Sequence, residues 1–366
     1  MIGRYLALIV AGTIGPAFSQ APDPVTLYGR VYVTVESVEA TGDEARATPV
    51  KRRARISDQS SHVGVRGTES LGGGLSAIFQ METLFKAEEN NSQFATRNSA
   101  VGLKGAPGTL LLGRWDTPFK AATLAVDPFG DLTLGGITAA LNGSGLARRQ
   151  GTFDRRDTNV IQYWSPVVAG FALRLSHAVN EARTAFLNPS QSGGSLTYSA
   201  GGWYAGYAYD QQRDGAFGIE LEKQAAHALF GYVTFGVVRL GWVHEQIRRP
   251  TFSTQKAWMA NGVASFGRQQ LIYQYQRARG GSDNRFESAA AGAPAPHVLF
   301  LMAGEPRCDV HVAAWQYQFS RRTMLLAQYV RITNNLPSTC NFGTNALPIE
   351  AGQDLRGASL GMRHLF

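Results

Sequence analysis

Sixteen segments of this chain alternate apolar and polar residues, and the connections between them are alternately short and long. Val25–Glu36 sets the pattern. Val25, Leu27, Val31, Val33 and Val35 fall on one face, and Thr26, Tyr28, Arg30, Tyr32, Thr34 and Glu36 on the other. A period of two is that of a β-strand with unlike faces. Ser61–Arg66 turns through Ser70–Gly74 into Leu75–Glu82, and Arg97–Leu103 through Gly105–Gly108 into Thr109–Arg114. Asn159–Trp164, Phe171–His177, Ser195–Ser199, Trp203–Tyr209, His227–Thr234 and Val238–Gln246 continue the series. Lys256–Ser265, Gln270–Arg277, Val310–Phe319, Thr323–Thr333 and Asp354–Phe366 complete it. A soluble sandwich also needs strands with one dry face, but gives no reason for short turns and long loops to segregate. A bacterial outer-membrane barrel does, with strands of ~9–11 residues, even in number, apolar outside and polar inside. Closure also leaves no strand edge unpaired. The reading is all-β: a sixteen-stranded antiparallel transmembrane β-barrel with short periplasmic turns and long external loops.

Met1–Ser19 stands apart from that pattern. Arg4, an apolar run from Tyr5 and the small-residue exit at Ala17–Ser19 read as a secretory signal peptide, too short for a membrane span. Residues 20–366 are then the barrel, and the expected location is the Gram-negative outer membrane. Lysine and arginine exceed the carboxylates by eight. Such an excess fits nucleic acid, an anionic surface or a basic cavity, and export argues against nucleic acid. The seven histidines are scattered, with no cysteine or carboxylate cluster at metal spacing, so neither metal nor cofactor is expected. Cys308 and Cys340 lie in the long loops flanking the Val310–Thr333 hairpin. In an oxidising compartment that placement favours a disulfide.

Trp115–Arg155 is the other departure, about forty residues without period-two alternation, where connections beyond ~12–15 residues are usually functional or disordered. Phe119, Leu124, Val126, Phe129, Leu132, Leu134 and Ile137 give it something to bury. It carries Asp116, Asp127 and Asp131, and its flanks are rich in arginine, including Arg114 and Arg156. A segment of this kind is expected to fold into the barrel and set its bore. Strand parity puts Arg30 and His62 on the inner face.

Four motifs make the chain resemble the general porins of Gram-negative outer membranes, of the Burkholderia and Neisseria type. They are Val25–Gly29; Ser61–Glu69 running into Leu71–Leu75; Val101–Gly105 running into Leu112–Arg114 with Thr117–Pro118; and Gly361–Phe366. The resemblance implies a homotrimer whose third loop forms a constriction facing a ladder of basic side chains. Asp127–Asp131 matches the acidic Pro-Phe-Gly tip, and the ladder carries over onto Arg97 and Arg156. Its third member falls on His62, where the family has arginine, and histidine is largely neutral above its reference pKa of ~6.5. Arg97 shares parity with Val101 and Leu103, so a lumen position there requires a bulge. The terminal Phe366 matches an assembly signal, although an aromatic girdle residue is an equally physical use of it.

The expected partners are other copies of the chain, outer-membrane lipid and lipopolysaccharide, and small hydrophilic solutes and ions, with anions preferred. A substrate-specific channel reads the same way in sequence. A barrel enzyme would need a catalytic constellation, and no Gly-x-Ser-x-Gly elbow appears. Lys51–Arg55 reads as a solvated charge run, with lipopolysaccharide or the pore mouth as its other use.

Overall fold

Where apolar and polar residues alternate, the chain is extended. The computed structural model describes residues 25–42, 49–86, 94–130, 133–141, 153–179, 188–213, 223–249, 252–281 and 305–366. Its strands are β1 (Thr26–Thr41), β2 (Val50–Asp58), β3 (His62–Gly72), β4 (Leu75–Leu84), β5 (Ser99–Gly105), β6 (Gly108–Asp116), β7 (Arg156–Trp164), β8 (Phe171–Val179) and β9 (Ser190–Ala200). Then come β10 (Trp203–Arg213), β11 (Lys223–Phe235), β12 (Val238–Arg249), β13 (Phe252–Phe266), β14 (Gln269–Arg279), β15 (Arg307–Gln318), β16 (Thr323–Asn334) and β17 (Asp354–Leu365). Each pairs antiparallel with its neighbours, and β1 closes the sheet against β17, from Arg30↔Leu365 to Thr41↔Asp354. β2 and β3 both lie along the other edge of β1, so the seventeen segments make a closed barrel of sixteen wall strands.

The break in that shared strand is Gln59–Ser61, where Ser60 takes a positive φ of 60°. β2 includes the Lys51–Arg55 run, so part of that run is wall. Register explains it: Arg55 sits opposite Glu36 and pairs with it at 2.6 Å, while Arg52 reaches Glu39 at 3.0 Å.

The barrel is dressed inside out relative to a soluble protein. Val31, Val35, Leu196, Leu229, Leu240, Trp242, Leu271, Leu360 and Met362 are exposed on the outer face. Thr34, Glu36, Gln162, Gln274, Gln276 and Gln328 point inward and are buried. This is the polarity a hydrocarbon surround requires. Phe366 is exposed on the same outer face and exchanges backbone bonds of 3.1 Å with Gly29. A side chain at Gly29 would collide with the Phe366 ring and with the His62 carbonyl 2.6 Å away, so the first and last motifs meet at the closing seam.

Among the described residues, two connections turn inward. Residues 117–155 begin with helix α1 (Pro118–Leu124), capped by Thr117, whose Oγ1 accepts from the Lys120 amide at 3.2 Å, with Pro118 in the first turn. Inward-facing amides then hold the loop's carbonyls. Asn261 donates to Val126 O at 3.1 Å, and Gln274 and Gln276 each donate to Gly135 O at 3.0 Å. Phe119, Val126, Leu134 and Ile137 are buried against the wall. Both ends of the loop are tied at one place: Thr117 N–H donates to Arg155 O, and Arg155 pairs with Asp157 at 2.7 Å and Asp210 at 2.6 Å.

The second is the last long loop, residues 335–353, which the sequence reading left outside. Phe342, Leu347 and Ile349 are buried. Gly343 N–H donates to Leu134 O at 2.8 Å, and Phe342 and Leu134 lie over Gly357 of β17, where a Cβ would approach the Phe342 ring to 2.9 Å. Asn345 reaches back to Asp58 O at 2.9 Å. Cys308 of β15 is bonded to Cys340 of this loop, with Cα atoms 6.2 Å apart.

Candidate functional site

The inward loops occupy one side of the bore and leave an open space against the β1–β7 side. That space, about 1010 Å³, is lined by Arg30, Ser60, Arg97, Asp116, Lys120, Asp154 and Arg156, with Gly130 and Thr138 from the third loop and Thr339, Asn341–Thr344 and Ala346–Pro348 from the last. Of the sequence-assigned residues, the structure thus brings Arg30, Arg97 and Arg156 together.

Each cation is held in place by a neighbour. Arg30 of β1 donates to Ser60 O at 2.6 Å, across the break between β2 and β3. Arg156, the first residue of β7, pairs with Asp116 at 2.9 Å and donates to Asn98 Oδ1 at 2.5 Å. Arg97 pairs with Glu82 of β4. It precedes β5, which starts at Ser99, so it lies in irregular chain and strand parity does not govern it. Its backbone N–H donates to Glu82 O at 3.0 Å, which aims the side chain inward.

His62 stands beside this group. Its Nε2 is 3.7 Å from Glu82 Oε2 and its Nδ1 is 3.1 Å from Ser60 O, so it reaches the same carboxylate as Arg97. Tyr28 donates to Glu82 at 3.1 Å. Arg114 lies at a register shift in β6, opposite Ser99, and is not among the residues that line the constriction.

The acids differ more from expectation. Asp127 is buried, and its two oxygens accept from the amides of Phe129 at 3.0 Å and Ile137 at 2.7 Å. It shapes the loop tip rather than facing the water. Asp131 lies outside the described residues, as does Met1–Ser19. Among the described residues, the carboxylates that line this space are Asp116 and Asp154, and Lys120 lies between them, 2.8 Å from Asp154 and 3.7 Å from Asp116. The Asp116/Lys120 spacing, i and i+4 at the start of α1, was the sequence signal for this pair. Glu82 sits on the inward parity of β4 but belongs to none of the four motifs.

A family model described as Gram-negative porin matches residues 6–336. The chain belongs to the Gram-negative porin family. Among its relatives is outer membrane porin protein 32 of Delftia acidovorans, 27% identical over 384 residues that cover 99% of each chain. Major outer membrane protein P.IB of Neisseria gonorrhoeae is 26% identical over 338 residues, covering 87% of this porin and 91% of the relative. The anion-selective porin from Comamonas acidovorans has a similar fold, with TM-score 0.76 at 23% identity over 94% of this chain and all of that one. The trimer form of OmpT from Vibrio cholerae gives 0.68 at 14% identity, again over 94% and 100%. In this porin the bore carries fixed charge on the residues that line it, consistent with a passive channel.

Proposed function

We propose that this porin is an outer-membrane diffusion channel for small hydrophilic solutes that favours anions. The observation that carries the reading is the charge around the constriction water. Among the described residues lining it, Arg30, Arg97, Lys120 and Arg156 stand against Asp116 and Asp154. One charge ~8 Å from an ion in water-like dielectric is worth only ~0.5 kcal/mol, so no single residue decides selectivity. Several on one wall add, and low-dielectric walls focus their field. Carboxylates interleaved with them make a transverse field that also orients dipolar solutes.

Met1–Ser19 is removed on export, Phe366 marks the chain for barrel assembly, and three copies assemble in lipid and lipopolysaccharide. The family resemblance and the exposed apolar outer face support this assembly. The test uses the native assembly extracted from outer membranes, a detergent-resistant trimer that falls to the monomer band on boiling. Reconstituted into liposomes, it admits small neutral sugars, and small organic anions faster than cations of equal size. A monomeric periplasmic protein, or vesicles that stay closed to sugars, would overturn the reading.

A further inference from the structure

The lumen holds a second cavity beside the constriction, of about 560 Å³, within the ~300–1,000 Å³ typical of small-molecule sites. Its lining includes Gly74 and Gly105 from the short turns, so it lies toward that end of the barrel, and it includes Trp115, the residue before Asp116 of the constriction. Trp115 and Trp164 meet edge to face, with ring centres 5.5 Å apart. Trp164 is fixed further by its Nε1–H, which donates to Gln162 Oε1 at 3.0 Å. Two half-buried indoles set edge to face on the lumen wall offer apolar aromatic surface where a polar solute needs none.

The charged side chains that line the cavity, among the described residues, are of one sign. The described lining contributes Arg66 and Lys104 and no carboxylate. Register gives the arrangement: Lys104 lies opposite Thr109, Thr109 opposite Trp164, and Trp164 opposite Arg174. Directly opposite residues share a face with ~4.5–5.5 Å between Cβ atoms, so Trp164 has Arg174 on one side and Thr109 on the other, with Lys104 one strand beyond Thr109 in the same row. Arg174 holds its guanidinium 4.8 Å from the Trp164 ring centre. Trp164, with Arg174 at its ring and Lys104 in the same row, suits a planar ring that carries a negative charge at its edge.

We propose that this cavity is a binding site for aromatic carboxylates, with the ring on Trp115 and Trp164 and the carboxylate on Lys104 or Arg66. The inference rests on the channel reading above and adds a solute class to it. An aromatic pair contributes ~0.5–1.5 kcal/mol beyond area burial, which converts to roughly twofold to tenfold in affinity. The discriminating probes are benzoate and cyclohexanecarboxylate, which share charge and approximate size and differ in the flat π-face.

Trimers in planar bilayers are recorded in potassium chloride, with each acid added to the short-turn side. Benzoate is expected to interrupt the chloride current at concentrations roughly twofold to tenfold below those of cyclohexanecarboxylate. In Trp115→Leu/Trp164→Leu that ratio falls to about one. In Lys104→Gln both acids weaken together and their ratio stays. Should the double tryptophan variant fail to assemble, the wild-type ratio and Lys104→Gln still decide. Equal blocking by the two acids in the wild type overturns the site. Chloride-over-potassium preference in the same membranes separates the two claims: if it holds while the acids block equally, the anion channel stands and the aromatic site falls, and a cation-preferring channel removes both.

Discussion

An arginine on a pore wall serves a passing anion only with the charge its neighbours leave over. Arg156 gives part of its field to Asp116, and Arg97 gives part to Glu82. Asp127 is a different kind of acid, since its oxygens are already taken by two loop amides, one of them two residues on as in an Asx-turn. Asp127→Asn replaces one acceptor by an amide donor and strands a buried N–H, at a cost of about 1–3 kcal/mol. The expected outcome is a lower thermal midpoint with nearly unchanged anion preference. Asp116→Asn is expected to behave oppositely, raising the anion preference in dilute salt. A rise in preference for Asp127→Asn as large as that for Asp116→Asn would put its charge back in the bore. The sequence carries the basic wall legibly, because strand parity and motif position place Arg30 and Arg156. It does not say whether a loop carboxylate meets water or its own backbone, since either requires the same residue at the same place.

Elements with regular alternation were legible, and those without it were not. β2 was hidden because Lys51–Arg55 carries charge on both faces, and its ladder with β1 sets Arg55 and Arg52 against Glu36 and Glu39. The inward course of residues 335–353 was hidden because Phe342, Leu347 and Ile349 follow no period, although three apolar residues near a cysteine were a sign. That loop is pinned to the third loop, to Asp58 and, through Cys340, to β15. A cross-link closing a loop of this length contributes roughly 4 kcal/mol in the chain-entropy account. Cys308→Ser/Cys340→Ser is therefore expected to lower stability by about that amount and to increase open-channel current noise as the loop loosens. Mass mapping without reductant should recover the two cysteines in one cross-linked peptide pair. Free alkylation of both thiols in the native protein would remove the tether.

At the scale of the whole molecule, the closed sheet supplies what the site needs and little else. Its outward apolar face fixes the barrel in lipid, and its inward amides bind the loops that narrow it. The free side of the bore then keeps a net basic wall. Salt screens that wall within ~10 Å at 0.1 M, so its influence is clearest in dilute solution. The most direct measurement is the zero-current potential of the trimer across a tenfold potassium chloride gradient, for the wild type and for Arg97→Gln/Arg156→Gln. The account gives a wild type whose dilute side becomes negative, as chloride crosses ahead of potassium, and a variant whose potential moves toward zero. A wild type whose dilute side becomes positive, or a variant indistinguishable from it, would contradict the account.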